Sequence, residues 1–141
     1  VFQTNFFATV KITRHYLAKM VERQSGIIIN MCSIASFIAG GGGAAYTASK
    51  HALAGFTRQL ALDYAKDKIQ IFGIAPGAVK TAMTASDFEP GGLADWVAQE
   101  TPIGRWSNPE EIADLTEFLA SGKASSMQGE IIKIDGGWSL K

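Results

Sequence analysis

The segment Ile27-Ile28-Ile29-Asn30-Met31-Cys32 decides the fold. This largely apolar run follows a Ser25-Gly26 stop and leads into a loop of small residues, the pattern of a short strand buried on both faces. Working outward, the same signal recurs at Ile69–Ala75, closed by Pro76-Gly77, and at Glu130–Asp135, closed by Gly136-Gly137. Before and between these runs the apolar spacing changes to that of a helix. Val1, Phe6, Phe7, Val10, Leu17, Met20 and Val21 mark an amphipathic helix over residues 1–23. Leu53, Phe56, Leu60 and Tyr64 mark a second, from Tyr46 to Lys66. A third starts at Asn108-Pro109-Glu110-Glu111, with a capping side chain, a proline in the first position and acids in the first turn, and runs to about Ser121. Thr81 to Thr101, with Pro90-Gly91-Gly92 and Trp96, reads as a less regular lid.

Helix and strand alternate three times, which predicts crossover units on a parallel sheet: an α/β fold with three strands and three main helices. Three strands make a narrow sheet, and the first would keep an uncovered edge without a further strand beside it. The first helix has no start signal, neither an initiator Met nor a capping residue ahead of Val1. The expectation is the carboxy-terminal half of a doubly wound, Rossmann-like domain, with residues 1–141 forming one incomplete domain.

Composition narrows the function classes. With 141 residues and 47% of them apolar, a packed core is within reach and wholesale disorder is excluded. Thirteen Lys+Arg balance thirteen Asp+Glu, so no general field draws the chain to nucleic acid or acidic lipid. The single cysteine, Cys32, excludes an internal disulfide, and His15 and His51 lie too far apart to suggest a metal site. No apolar run approaches the ~20 residues of a membrane span, and no basic-then-apolar leader opens the chain. The expectation is a soluble, cytoplasmic protein with no nucleic-acid, membrane or metal partner.

Ligands of open parallel sheets bind beyond the carboxyl ends of the strands. Past the first strand come Ser33 and then Tyr46-Thr47-Ala48-Ser49-Lys50; past the second comes Pro76-Gly77-Ala78-Val79-Lys80-Thr81. Tyr46 and Lys50, four apart, share a helix face at ~6 Å along the axis. An ammonium at that distance, with an effective dielectric of ~20, favours the ionised phenol by about 3 kcal/mol. That suits a general acid–base catalyst near neutral pH, and a serine hydroxyl beside it can fix the same carbonyl oxygen. Tyr64 and Lys68 repeat the spacing at the far end of the same helix. No strand end delivers a serine there, so Tyr64 reads as core and Lys68 as a solvated helix end.

At these residues the chain resembles the short-chain dehydrogenase/reductase family, along essentially its whole length. The matching pieces are Asn5, Ile29-Asn30-Met31-Cys32-Ser33, Ala45-Tyr46-Thr47-Ala48-Ser49-Lys50, Ile74-Ala75-Pro76-Gly77-Ala78-Val79-Lys80-Thr81, Pro109-Glu110-Glu111-Ile112-Ala113 and Ile134-Asp135-Gly136-Gly137. The resemblance implies an oxidoreductase using NADP or NAD, with Tyr46 as acid–base, Lys50 easing its ionisation and binding the nicotinamide ribose, and Ser33 orienting the substrate carbonyl. It implies that Asn5 organises a relay water with Lys50, and that the Pro76-Gly77 turn with Val79 and Thr81 holds the nicotinamide carboxamide. The pattern looks most like the bacterial 3-oxoacyl-(acyl-carrier-protein) reductases and their sugar or alcohol dehydrogenase relatives. It further implies a small-molecule or acyl-carrier-bound carbonyl substrate and a homodimer or homotetramer built on the first two helices and the last strand. Cys32 stands where the family commonly has serine, and Phe72 where it often has asparagine. The family's amino-terminal glycine-rich phosphate loop is not in these residues. That leaves a second expectation of another class, a non-catalytic remnant serving as an oligomerisation module.

Other features read more plainly. Gly40-Gly41-Gly42-Gly43-Ala44-Ala45 satisfies G-x-G-x-x-A, but it starts about eight residues past its strand, so it reads as a flexible approach to the Tyr46 helix rather than a phosphate loop. His15 and His51 read as helix-face residues, and Cys32 as a small buried residue with no histidine placed to activate it. Trp96 and Trp106 suit either surface cover or a segment closing over substrate.

Overall fold

The computed structural model describes all 141 residues. Its sheet has three parallel strands, β1 (Gly26–Met31), β2 (Ile69–Pro76) and β3 (Ile131–Ile134), in the order β1-β2-β3. Gly26 lies opposite Ile69 and Met31 opposite Ile74; across the other ladder Gly73 faces Ile131 and Pro76 faces Ile134. β2 is therefore paired on both sides, and Ile69, Ile71, Phe72, Ile74 and Ala75 are buried. β1 differs from its expectation: Ile27, Ile28 and Ile29 are only half-buried and Met31 is exposed, because β1 has a neighbour on one side only. It also starts at Gly26 and stops at Met31, which leaves Cys32 and Ser33 just beyond its carboxyl end.

Three main helices cover the sheet, as expected: α1 (Ala8–Arg23), α2 (Gly43–Tyr64) and, past a short α3 (Ala94–Glu100), α4 (Pro109–Ala120). Clusters of apolar side chains hold them on both faces. Leu17 of α1 and Ala61 of α2 pack on Ile69 and Ile71, and Leu53 and Ala54 of α2 pack on Ala75 and Ile131. Leu119 of α4 packs on Phe72 and Ile74 from the other side. Each fully buried leucine, isoleucine or phenylalanine among them stabilises the fold by about 1.5–3 kcal/mol, and each alanine by less. Phe72 thus joins the α4-side core.

Three boundaries depart from the sequence reading. Ahead of α1, Gln3–Phe7 form a π-helical turn rather than the start of an α-helix. α2 begins at Gly43 instead of Tyr46, since Gly42 and Gly43 both adopt φ +78° and Ala44-Ala45 continue the helix from there. The lid carries structure of its own, a 3-10 segment at Ala82–Phe88 and then α3. The start of α4 is where Asn108-Pro109 placed it: the Glu111 carboxylate accepts the Asn108 N–H at 2.7 Å and takes two bonds from Arg105, at 2.9 and 3.0 Å. The Arg105 guanidinium and then the Asn108 amide hold the Glu111 carboxyl down at about 2.

One side chain replaces part of a ladder. Gln128, just ahead of β3, accepts the Ile71 N–H on its Oε1 at 3.1 Å, and its Nε2 donates to the carbonyls of Ala61 and Ile69 at 2.9 and 3.0 Å. It joins the last turn of α2 to the first half of β2.

Candidate active site

The end of β1 delivers the first group. Ser33 is buried, with extended backbone, and its Oγ accepts the Ala35 N–H at 3.1 Å to cap a short 3-10 turn. That bond uses an oxygen lone pair and leaves the hydroxyl proton to donate elsewhere. The first turns of α2 deliver Tyr46 and Lys50. Lys50 Nζ lies 5.7 Å from the centroid of the Tyr46 ring and donates to the Met31 carbonyl at 2.8 Å, which clips α2 to the end of β1. Burial pushes the Lys50 ammonium below its ordinary value, and the nearby Cys32 opposes that. Gly42 is part of the same arrangement. A Cβ there would lie 2.4 Å from Cδ1 of Tyr46, so only glycine leaves room for the ring.

The end of β2 delivers the backbone. A Cβ on Gly77 would come within 2.8 Å of the Asp135 Cα, so the turn after β2 lies directly against the turn after β3. Asp135 fixes that second turn by accepting from the Gly137 N–H and from the N–H and hydroxyl of Ser139. Burial pushes its carboxyl up, but these donors outweigh it and hold the group low. Val79 bridges to Ser107 through the Lys80 N–H on the Ser107 carbonyl and the Ser107 N–H on the Ala78 carbonyl. Neither rung uses the Val79 N–H, while its carbonyl accepts from Thr84 at 2.9 Å. Thr81 starts the 3-10 segment of the lid.

These pieces meet. A cavity of about 770 Å³ is lined by Ser33, Tyr46, Lys50, Pro76, Gly77, Val79 and Thr81. Asn5 is not among them. It lines a separate cavity of about 460 Å³ between α1 and β1, and Lys50 and Met31 belong to both. Reading the sequence also missed one wall of the larger cavity, formed by Met83 of the lid and Ile112, Ala113, Thr116 and Glu117 of α4. Helical spacing finds the core face of α4, but only the crossover placement shows which other face meets a cavity.

The plainer readings have their places. Cys32 is buried, and burial pushes its thiol up. Tyr64 packs against the cluster of Leu17, Ala61, Ile69 and Ile71, and Lys68 lies past the end of α2 with φ +61°. The glycine run leads into α2 rather than following a strand end. His51 Nδ1 sits 2.9 Å from the Thr47 carbonyl, and His15 packs edge-on to Tyr16. Trp106 donates to the Ala94 carbonyl and packs on Phe88, both of the lid. No helix is long and apolar enough to cross a membrane.

A parallel sheet covered by helices on both faces, with a polar site beyond its strand ends, defines a doubly wound α/β protein. The chain belongs to the short-chain dehydrogenase/reductase family: residues 1–139 match the family described as enoyl-(acyl carrier protein) reductase. Among curated relatives, the gluconate 5-dehydrogenase of Gluconobacter oxydans is 37% identical over 94% of this chain and 50% of its own length. The 3-oxoacyl-(acyl-carrier-protein) reductase of Aquifex aeolicus is 34% identical over 97% and 54%. Among solved structures, a gluconate 5-dehydrogenase from Burkholderia cenocepacia, in complex with NADP and tartrate, superposes with a TM-score of 0.91 at 31% identity, covering 97% of this chain and 54% of that one. The chain spans about half the length of the curated relatives it matches.

Proposed function

We propose that the protein is an NAD(P)-dependent oxidoreductase that interconverts a carbonyl and an alcohol. The observation that carries this reading is the single cavity shared by Ser33, Tyr46, Lys50 and the Pro76–Thr81 backbone. The residues present suit a nicotinamide nucleotide: the Val79 N–H is unused by the neighbouring ladder, and the Lys50 ammonium stands at the cavity wall. In this reading Pro76, Gly77, Val79 and Thr81 hold the carboxamide and Lys50 binds the ribose. When bound, such a cofactor supplies a hydride donor or acceptor.

In the reduction direction, the Tyr46 hydroxyl gives its proton to the carbonyl oxygen as negative charge develops there. The Ser33 hydroxyl donates to that same oxygen and fixes its position. Lys50 stabilises the phenolate that Tyr46 leaves behind. Asn5, from the adjoining cavity, organises a relay water with Lys50. Oxidation runs the same proton path in reverse. Residues 1–141 would then be one half of a dinucleotide-binding domain acting within a homodimer or homotetramer in the cytoplasm.

For the substrate, the gluconate 5-dehydrogenase relatives and the tartrate bound in one of them favour a polyhydroxy acid and its ketone. The Aquifex aeolicus relative favours the second reading, a 3-oxoacyl group on an acyl carrier. Oxidation of NADH and NADPH by the intact protein, followed in absorbance with 5-keto-gluconate and with a 3-oxoacyl thioester, tests both. Turnover with a nicotinamide and the sugar acid as the faster substrate is the expected result. A faster thioester moves the substrate to the second reading. No nicotinamide binding and no turnover with any ketone leaves the oligomerisation module, and light scattering on the same sample reads that state.

A further inference from the structure

We infer that Ser49 is a positioning residue: it fixes the orientation of the Asn5 carboxamide and ties it to the backbone of Tyr46. This rests on the reading of Tyr46, Lys50 and Asn5 just given. Ser49 is fully buried in the second turn of α2 and lines neither of the two cavities described above. Its Oγ donates to the Tyr46 carbonyl at 2.7 Å. A hydroxyl has one proton, so with that proton committed the oxygen can only accept. It does accept, from Nδ2 of Asn5 at 3.2 Å.

The consequence concerns Asn5. Either end of a carboxamide fits the same space, and hydrogen-bond partners decide between them. A partner that can only accept demands the amino end. The Asn5 Oδ1 is thereby left as the acceptor of that side chain, in the cavity that Lys50 also lines. An acceptor on that side chain complements the Lys50 ammonium, which can only donate. Asn5 lies in the π-helical turn at Gln3–Phe7, so the bond joins that turn to α2.

The test is a double-mutant cycle in the intact protein, with Ser49→Ala, Asn5→Ala, the pair, and Tyr46→Phe as the check on the underlying reading. Ser49→Ala is expected to lower kcat about tenfold with KM for nucleotide and ketone unchanged. The same change on the Asn5→Ala background is expected to lower kcat no further. Ser49→Thr, which keeps the hydroxyl, is expected to restore kcat, and if Ser49→Ala does not fold, Ser49→Cys takes its place in the cycle. Unchanged kcat in Ser49→Ala, or losses that multiply across the cycle, overturns the inference while Tyr46→Phe remains inactive. Turnover retained by Tyr46→Phe overturns the functional reading instead.

Discussion

α2 carries the spacing Tyr-x-x-x-Lys twice, at Tyr46–Lys50 and at Tyr64–Lys68, and the two ends of the helix use it differently. At the first, the chain continues as α-helix through both residues, so the ammonium lies 5.7 Å from the ring and reaches the Met31 carbonyl. At the second, the helix ends at Tyr64, a 3-10 turn intervenes and Lys68 sits exposed in the left-handed region. Tyr64, half-buried, packs instead against the cluster of Leu17, Ala61, Ile69 and Ile71. Spacing gives two side chains one face only while the backbone remains helical. What makes one pair chemical is the strand end it lies against.

The sharpest way to break that contrast is at the tyrosines. Tyr46→Phe is expected to lower kcat by about 100- to 10,000-fold, the usual worth of a general acid–base, while Tyr64→Phe stays within about twofold. Equal losses in two well-folded variants would erase the distinction. The lysines come next. Lys50→Met is expected to reduce both kcat and nicotinamide affinity with little change in Tm, because it removes an ammonium already held at a desolvation cost; Lys68→Met should move neither. The sign of the pH dependence follows. The native state disfavours the Lys50 proton, so wild type gains stability relative to Lys50→Met as pH rises from the lowered folded value toward 10.5, a trend that urea unfolding at stepped pH reads.

The smallest expected effect lies at the start of α2. Gly42 and Gly43 share φ +78°, but a Cβ on Gly42 meets the Tyr46 ring and one on Gly43 meets nothing within 4 Å. Each change to alanine is expected to cost about 1 kcal/mol of stability from the backbone alone. Only Gly42→Ala should also lower kcat. If Gly43→Ala does so equally, flexibility of the glycine run matters and the packing against Tyr46 does not.

Much of this was legible in the residues. Three apolar runs separated by helical spacing gave the strand count, the parallel sheet and the helices on both faces, because a short apolar run bounded by turn residues marks a strand even where part of it stays accessible. Seven of the eight positions singled out from the motifs line a shared cavity, since strand ends are where a parallel sheet brings distant segments together. The rest depended on contacts that no local pattern records. Ile27–Ile29 read as fully buried although β1 is an edge, and the π-helical turn around Asn5 has no composition signal. The start of α2 was hidden because Gly42 and Gly43 read as loop residues.

Gln128 has a consequence for motion. The Ile71 amide, in the middle of the buried central strand, is held by a rotatable carboxamide and not by a neighbouring peptide. Hydrogen exchange at that amide therefore reports a single side-chain excursion as well as strand separation. Its deuterium uptake should outpace that of Gly73, whose N–H is held by the Glu130 backbone carbonyl, by whatever fraction of time the Gln128 arm swings free.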